Sequence, residues 1–600
     1  MGLSRKAGIE EIARRATRTQ AAAGVFTEDL TVAVRRQLDA ASTTAGDLGA
    51  ALTNAPARIA EGLTQRGGDL GGALTKRLRD FGGLGRLADS EDAAPASSSE
   101  VAQGASPQSP SAAPQSQGPS GADRPQQADE SAAGESSPED HAAHAPVPTL
   151  THTPELLLEG SHRAPTFFLH GEGVGHETAY DMISSELCLD GSARLNLATF
   201  CSTQMPALAD RLMIETAQKN MIDKDEYPQT AEFENRCVNI ISRLWNSPVG
   251  EEAVGCSTTG SSEAVMLAGL AMKWRWREKM RRLGKPTDKP NLVTGANVQV
   301  CWEKFMRYWD VEMRLVPMDQ DHLCLTAERL RDFVDENTIG VATVLGSTFD
   351  GRYEPFAEIA AELDRIQEDT GLDIPLHIDA ASGGFVAPFI QPELVWDFRI
   401  PRVCSINASG HKYGLVYPGV GWAIWRSPEY LPEELVFHVN YLGGDMPTFS
   451  LNFSRPGSQV VAQYFMFTSL GFEGYRRIQQ HASDVAQYLA AEIEKIGPFE
   501  LITRGADLPV FAFKLKDSVK NYTVFDVSDR LRERGWQVPA YTFPADREDL
   551  AVLRVVVRAG MNLDMADLLL ADLRKHTAKL EALRAPLPSV LTSDEKVFAH

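Results

Sequence analysis

The residues around Lys412 combine a lysine with surroundings that disfavour its charge. Lys412 lies in SGHKYG, residues 409–414, with a glycine two positions away on either side and apolar residues beyond them. Burial disfavours the ammonium form and lowers the pKa of a lysine from its usual value of about 10.4. A neutral amine is a nucleophile that can form a Schiff base with a carbonyl compound. Lys412 is therefore a candidate for covalent catalysis.

A carboxylate and a set of hydroxyl groups could serve the same site. Asp379 stands in HIDAASGGF, residues 377–385, directly after a strand-like run and before small residues. An acid there could hold a protonated ring nitrogen, or it could cap the helix that follows. The run TTGSSEAV, residues 258–265, begins a helical pattern, and the free N–H groups of a helix N-terminus can bind phosphate. Simple capping of this helix is the alternative role for Ser261 and Ser262.

The elements that must position these groups alternate between strand and helix. Strand-like runs at 339–347 and 373–379 are separated by a helical pattern at 355–371. This alternation predicts an α/β fold with a largely parallel sheet. Ligands of such sheets gather at the carboxyl ends of the strands, where Asp379 would lie. A long helical pattern after residue 455, followed by further strand-like runs, predicts a smaller α+β domain.

A phosphate cradle, an acid for a ring nitrogen and a desolvated lysine are together what pyridoxal 5'-phosphate requires of a protein. The coenzyme supplies an electron sink, and the protein supplies anchoring and electronic control. Each of the three motifs has a structural alternative, but all three occur in one chain. We therefore predict a pyridoxal-phosphate site.

Six sequence blocks resemble the pyridoxal-phosphate glutamate decarboxylases of bacteria and plants, from about residue 165 to the C-terminus. The blocks are LDGSARLNLATFCST, MIDKDEYPQTA, MKWRWREKM with GKPTDKPNLV, HIDAASGGF, SGHKYGLVYPGVGW and YLGGDMPTFSLNFSRPGSQV. The resemblance implies the aspartate aminotransferase-like fold type I of pyridoxal-phosphate enzymes, with a large and a small domain. It also implies α-decarboxylation of L-glutamate to 4-aminobutyrate and CO2, with one proton consumed in each turnover.

The same resemblance assigns the cofactor contacts. Lys412 matches the lysine that binds the cofactor covalently, and Asp379 matches the carboxylate that keeps the pyridine nitrogen protonated. Ala381 matches a small residue packed on the ring, Gln299 a residue lying over it, and Thr348 one near its phenolic side. The implied phosphate ligands are Ser261, Ser262, Ser409, His411 (also counted as catalytic) and, from a neighbouring subunit, Ser454.

Substrate contacts and assembly also follow from the resemblance. Arg554 matches an arginine on the α-carboxylate side, and Gln299 stands where many related decarboxylases are expected to carry a histidine, which favours the glutamate-specific branch. Phe453 and Ser454 are expected to complete the site of a neighbouring subunit. This implies a homo-oligomer, which is at least a dimer and could be a hexamer. The group expected to hold the distal carboxylate is Thr199, Phe200, Asn220 and Asp223.

The C-terminus carries a candidate pH switch. Bacterial members of the family resemble this chain in ending on an aromatic residue followed two positions later by a histidine, here Phe598 and His600. Histidine changes its charge between about pH 5 and 8. We expect His600 to occupy the active-site entrance at neutral pH and to leave it in acid, whereas a frayed tail is the alternative.

Composition argues against several other classes of protein. The chain has 600 residues and a formal net charge of −22, which makes nucleic acid an improbable main partner. The seven cysteines are widely spaced, with neither a C-x-x-C pair nor a zinc-finger pattern, so we expect no metal site and a reducing, cytoplasmic compartment. No apolar run approaches the roughly 18 residues of a membrane span, and the N-terminus lacks a signal-peptide core.

The predicted domain organisation begins with a long extension. Residues 1–90 form a low-complexity arm, in which Leu30, Val34 and Leu38 mark either an amphipathic helix for a membrane surface or partner, or only weak helices. Residues 91–150, rich in Ala, Ser, Pro, Gln and Gly, predict a disordered linker. The remaining predicted parts are an N-terminal decarboxylase segment (151–200), a large cofactor-binding domain (201–455), a small domain (456–585) and a tail (586–600).

Two other functions stay open from the sequence. One is a pyridoxal-phosphate decarboxylase acting on aspartate or an aromatic amino acid, against which Gln299 and the distal-carboxylate group argue. The other is a noncatalytic interaction scaffold, against which the intact Lys412 and Asp379 argue. The chain departs from the family pattern in its N-terminal extension and by carrying Asp350 and Arg352 in the cofactor loop.

Overall fold

A computed structural model of the protein describes residues 167, 169 and 171 and the ranges 173–248, 253–441 and 446–585. The predicted N-terminal arm, the linker and the tail with His600 lie outside the described residues. No helix among the described residues combines the length and the apolar character needed to cross a bilayer.

A seven-stranded sheet forms the centre of the molecule, preceded in the chain by helices α1 (His176–Leu187), α2 (Ala207–Glu215) and α3 (Pro228–Leu244). Its strand order is β1-β7-β6-β5-β4-β2-β3, and only β7 runs antiparallel to its two neighbours, so the sheet is mostly parallel as predicted. The strands are β1 (Val254–Thr258), β2 (Asn291–Gly295), β3 (Glu312–Val316), β4 (Thr338–Val344), β5 (Leu376–Asp379), β6 (Val403–Ala408) and β7 (Gly421–Trp425).

Helices connect the parallel strands and cover the sheet. Strands β4, β5 and β6 are buried along their whole length, as expected where helices pack on both faces. The longer connections show the predicted helical period: the helix predicted at 355–371 buries Phe356, Ile359 and Leu363 and ends at Gly371, whose φ of 74° favours glycine. The connecting helices are α4 (Ser261–Arg282), α5 (Val300–Tyr308), α6 (Ala327–Leu330), α7 (Phe356–Thr370) and α8 (Ala387–Ile390).

A second, four-stranded sheet follows in the C-terminal part of the chain. Before it come the short antiparallel strands β8 (Phe437–Val439) and β9 (Met446–Thr448) and the long helix α9 (Ser458–Glu494). Helix α9 is interrupted at Gly471, where φ is 57° and ψ is −174°, a conformation that glycine adopts at low cost. The new sheet has the antiparallel order β10-β11-β13-β12. Its strands are β10 (Phe499–Leu501), β11 (Val510–Leu515), β12 (Ala540–Thr542) and β13 (Ala551–Val556).

Two helices pack on the second sheet and give it a core of its own. Helix α10 (Val524–Arg532) begins with a capping box formed by Thr523 and Asp526, and α11 (Leu563–Glu581) begins at the cap Asn562. Apolar side chains of α10, α11 and the C-terminal half of α9 meet those of the strands in one cluster. The α+β arrangement agrees with the sequence pattern, while the domain boundaries proposed at 201–455 and 456–585 remain predictions.

Candidate active site

A cleft of about 240 Å³ opens at the carboxyl ends of β4, β5 and β6, beside the N-terminus of α4. A larger groove of about 1180 Å³ lies at the opposite ends of these strands and contains none of the predicted site residues. The predicted residues that line the cleft are Ser261, Ser262, Gln299, Thr348, Asp379, Ala381, Ser409, His411 and Lys412. The other lining residues are Thr259, Gly260, Glu263, Cys301, Val344, Gly346 and Ser382.

Lys412 reaches the cleft from the turn that follows β6. Its Nζ lies 3.2 Å from Ser382 Oγ and 5.2 Å from the centroid of the Phe200 ring. Burial lowers the pKa of Lys412, and the neighbouring carboxylate of Asp379 opposes this shift without cancelling it. The surroundings therefore favour the neutral amine that a nucleophilic lysine needs.

Asp379 is the last residue of β5 and accepts hydrogen bonds from three N–H groups. Trp302 Nε1 donates to Oδ2 at 2.9 Å, and Oδ1 accepts from Asn407 Nδ2 at 2.9 Å and from the backbone N of Ala381 at 3.1 Å. Indole, amide and backbone N–H groups can only donate, so they stabilise a carboxylate. The carboxylate is thus suited to hold a protonated ring nitrogen.

The N-terminus of α4 and His411 form the part of the cleft suited to an anion. Ser409 Oγ donates to Ser261 Oγ at 2.8 Å, and Gly260 precedes the helix with a φ of 156°. A Cβ at Gly260 would lie only 2.9 Å from His411 Cε1, so a residue without a side chain is needed for the imidazole to lie this close to the start of the helix. Burial and the neighbouring Lys412 lower the pKa of His411 to about 4, and its buried Nδ1 has no partner among the described residues. Free helix N–H groups and an unpartnered imidazole nitrogen fit the phosphate of the predicted cofactor.

A group of residues beside Lys412 joins the N-terminal segment to the second sheet. Arg554 on β13 donates through Nη1 to the backbone O of Thr348 and through Nη2 to that of Ala198 at 2.6 Å. The guanidinium carbon lies 5.0 Å from the Phe200 ring centroid, and Arg554 Nε is buried without a partner among the described residues. Thr199 stands between Ala198 and Phe200. Phe200, Arg554 and Thr348 are therefore brought together next to Lys412, and Arg554 keeps N–H groups that these two hydrogen bonds do not use.

Gln299 and the cofactor loop are held by local hydrogen bonds. Gln299 Oε1 accepts from the backbone N of Cys301 at 2.6 Å, which caps α5 and fixes the side-chain amide at the cleft. The departure at Asp350 and Arg352 is an ion pair, with Nε 3.2 Å from Oδ2. Burial raises the pKa of Asp350 although Arg352 opposes this.

The remaining predicted residues form a second cluster that does not line the cleft. Asn220 Nδ2 donates to Ser454 Oγ at 3.2 Å, and Asn220 Oδ1 accepts from the backbone N of Arg455 at 3.0 Å. Asp223 follows in the same turn, where its backbone N donates to the O of Asn220 at 3.2 Å. Phe453, next to Ser454, keeps 41% of its surface exposed. The four residues predicted for the distal carboxylate are thus divided: Phe200, next to Thr199 in the chain, lies beside Lys412, and the other two lie in this cluster.

Four residues around the cleft were not predicted from the sequence. Ser382 contacts the reactive amine, and Trp302 and Asn407 bind the carboxylate of Asp379. Glu263 accepts hydrogen bonds from Thr259, directly before the helix N-terminus. Ser382 and Trp302 stand in the runs HIDAAS and NVQVCW, so their proximity to predicted residues was the available signal.

Comparisons with known proteins agree with this site. Residues 192–516 match the model of the pyridoxal-dependent decarboxylase conserved domain. A glutamate decarboxylase of Aliivibrio fischeri is 59% identical over 406 residues, which are 67% of this chain and 87% of that protein. A glutamate decarboxylase beta of Listeria monocytogenes is 50% identical over 439 residues, 73% of this chain and 95% of that protein. The solved glutamate decarboxylase of Lactobacillus brevis CGMCC 1306 is 49% identical with a TM-score of 0.68, covering 70% of this chain and 96% of that one.

The fold and the site define a pyridoxal-phosphate enzyme of fold type I. The chain belongs to the pyridoxal-dependent decarboxylase family. The relatives described above, which are 50% and 59% identical to it, are glutamate decarboxylases. The predictions of the family, the fold class and the cofactor are therefore confirmed.

Proposed function

We propose that this chain decarboxylates L-glutamate at the α-carbon, giving 4-aminobutyrate and CO2, with pyridoxal 5'-phosphate bound in the cleft described above. The observation that carries the proposal is the meeting of Lys412, Asp379 and the N-terminus of α4 in one cleft. The high identity to glutamate decarboxylases over most of the chain supports the choice of substrate.

Each part of the cleft has a role toward the cofactor. When bound, pyridoxal phosphate supplies an electron sink for the electron pair that departing CO2 leaves behind. Lys412 Nζ would hold it covalently, and Asp379 would keep the proton on its ring nitrogen. Ser261, Ser262, Ser409 and His411 surround the space suited to its phosphate. Gln299, fixed by its capping bond, would cover the ring, with Ala381 packed against it.

The position of Phe200 beside both Lys412 and Arg554 supports binding of the substrate at the same place. Arg554, whose guanidinium carbon lies 5.0 Å from the Phe200 ring centroid, would meet the α-carboxylate side of the substrate. Thr199 and Phe200 would meet the distal carboxylate. The identity to glutamate decarboxylases supports a dicarboxylic amino acid as substrate rather than an aromatic one.

We infer that a second copy of the chain completes the site. Asn220 contacts Ser454, and neither these two residues nor Asp223 and Phe453 line the cleft of their own chain, so we expect them to serve a neighbouring one. The test is to mix two inactive variants, Lys412→Ala and Ser454→Asp, after dissociation and reassembly. Assemblies with mixed subunits would contain one intact site and regain activity, whereas a mixture as inactive as its components would reject a shared site.

The substrate is tested with the purified full chain and added pyridoxal phosphate. We expect CO2 release from L-glutamate but not from aspartate or aromatic amino acids, assayed between pH 4 and 8, with Lys412→Ala as the inactive control. Equal rates with aspartate would contradict the proposed role of Thr199 and Phe200. No release from any amino acid by the holoprotein would instead favour the scaffold alternative.

We also infer that the reaction serves acid resistance in the cytoplasm, because each turnover takes up one proton. The observation behind this inference is the stoichiometry of α-decarboxylation rather than any feature of the described residues. Cells that express the protein should hold a higher internal pH in acid when glutamate is supplied, and a Lys412→Ala strain should not. Equal internal pH in the two strains would contradict the inference.

A further inference from the structure

A row of buried polar side chains runs through the centre of the main sheet and ends at Asp379. His377 lies two residues before Asp379 on β5, and Ser405 and Asn407 occupy the facing positions of β6. His377 Nδ1 is 2.7 Å from Ser405 Oγ, and its Nε2 is 2.8 Å from Asn407 Oδ1. Asn407 Nδ2 then donates to Asp379 Oδ1 at 2.9 Å. All four residues are buried, and His377 and Asn407 have no exposed surface.

If Asp379 is ionised, the hydrogen atoms in this row can point in only one direction. A carboxylate accepts, so Asn407 must turn its NH2 toward Asp379 and its oxygen toward His377. Nε2 of His377 must then carry the imidazole hydrogen, which leaves Nδ1 as an acceptor. Ser405 must therefore donate its hydroxyl hydrogen to Nδ1. Hydrogen bonds aligned in one direction polarise one another, and their negative end here is the carboxylate.

The charge state and packing of His377 agree with this direction. Burial lowers the pKa of His377, which favours the neutral imidazole that this direction requires. The Trp302 ring packs edge-on against the imidazole, with a centroid distance of 5.2 Å. The same indole donates to Asp379 Oδ2 at 2.9 Å. Each carboxylate oxygen of Asp379 thus accepts a hydrogen bond from a buried side chain.

We propose that Ser405, His377 and Asn407 are positioning residues that fix the orientation of Asp379 and present it as a pure acceptor to the ring nitrogen of pyridoxal phosphate. The inference rests on the proposed function, because it assumes that this nitrogen meets Asp379. Ser405 contributes by fixing the tautomer of His377. Without its donation the imidazole hydrogen could move to Nδ1, Asn407 could turn over, and its oxygen would then face the carboxylate.

The test compares two ligands of the apoprotein, pyridoxal phosphate and its 1-deaza analogue, in which carbon replaces the ring nitrogen. Dissociation constants are measured for wild type, Ser405→Ala and Asn407→Leu. Thr294→Val is the matched control, because Thr294 Oγ1 makes a buried hydrogen bond of 2.8 Å to the backbone O of Ala342 in the same sheet and does not contact the row. Thermal unfolding and near-ultraviolet circular dichroism of each apoprotein report on folding.

Wild type and the control should bind pyridoxal phosphate more tightly than the deaza analogue. The preference should fall by about tenfold or more in Asn407→Leu, the usual scale for one hydrogen bond to a charged group, and by less in Ser405→Ala. An equal rise of both dissociation constants in the variants, with the preference intact, would overturn the positioning role and leave a structural one. A wild type without preference would refute the placement of the ring nitrogen itself. If Asn407→Leu does not fold, Ser405→Ala, which removes one oxygen atom, decides.

Discussion

Glu263 in the first turn of α4 accepts five hydrogen bonds, and its replacement by glutamine tests how the phosphate end of the cleft is held. Oε2 accepts from the backbone N and Oγ1 of Thr259 at 2.7 and 2.9 Å and from Asn452 Nδ2 at 3.2 Å. Oε1 accepts from the backbone N of Leu451 at 3.0 Å and of Asn452 at 3.3 Å. The side chain thereby joins the loop before α4 to the segment that leads into Phe453.

Glutamine keeps the size of the side chain but turns one acceptor into a donor. Whichever way the amide is placed, its NH2 faces either the two donors at Oε1 or the three at Oε2. At least two hydrogen bonds to a charged group are lost, each worth about 1.5–3 kcal/mol. If roughly half of this loss reaches the loop that carries Thr259 and Gly260, the Kd of pyridoxal phosphate rises about 10- to 100-fold, since 1.4 kcal/mol is tenfold.

The assay compares pyridoxal phosphate with pyridoxal, which lacks the phosphate, by titration of the apoprotein. Glu263→Gln should weaken binding of pyridoxal phosphate but change that of pyridoxal by less than about twofold, because the loss concerns the phosphate end. Glu358→Gln is the control, since Glu358 is an exposed residue in the first turn of α7. Equal weakening of both ligands would refute the reasoning, because Glu263 would then act on the fold as a whole.

Three further predictions concern the reactive amine, a buried acid and the tail. Lys412→Ala should abolish CO2 release and the visible absorbance of the holoprotein, and persistence of either would remove Lys412 as the covalent residue. Burial raises the pKa of Glu354 to about 7 from an ordinary value near 4.5, so the folded state binds this proton more tightly than the unfolded state, and roughly 3 kcal/mol of stability is lost between about pH 4.5 and 7. The Tm of Glu354→Gln should therefore rise relative to that of wild type as the pH is raised from 5 to 8. A difference in Tm that does not depend on pH would contradict the assignment. Removal of residues 598–600, which lie outside the described residues, should raise activity near neutral pH, and an unchanged pH profile would reject a role for His600.

Nine of the residues that line the cleft could be predicted, some from short runs at the end of a strand or the start of a helix and the others from the family resemblance. HIDAAS ends β5, SGHK follows β6 and TGSS begins α4, and a parallel sheet brings such ends to one edge. Periodicity also located β4 and α7 close to their observed bounds. These runs and the resemblance therefore predicted part of the lining of the cleft without any knowledge of side-chain contacts.

The partners of these residues could not be predicted because they depend on tertiary contacts. Trp302 is 77 positions from Asp379 in the chain, and Asn407 is 28 positions away, brought into contact only by the pairing of β5 with β6. Glu263 meets Leu451 across 188 positions. The division of the substrate residues into two clusters has the same origin, since Asn220 packs beside Ser454 through a bridge that no local pattern indicates.

The buried polar row in β5 and β6 is costly for the fold, and this cost is itself informative. A buried donor or acceptor without a partner costs about 1–3 kcal/mol, whereas apolar side chains of similar shape at both positions are often neutral or stabilising. Stability alone would therefore place apolar residues at 377, 405 and 407, as it does at most neighbouring positions of the buried strands. Polar side chains are favoured there only if their hydrogen bonds hold a charged group that apolar residues cannot hold. The row ends at Asp379, the carboxylate of β5 that lines the cleft. The polar side chains inside the sheet therefore fix the position of Asp379 and stabilise its charge.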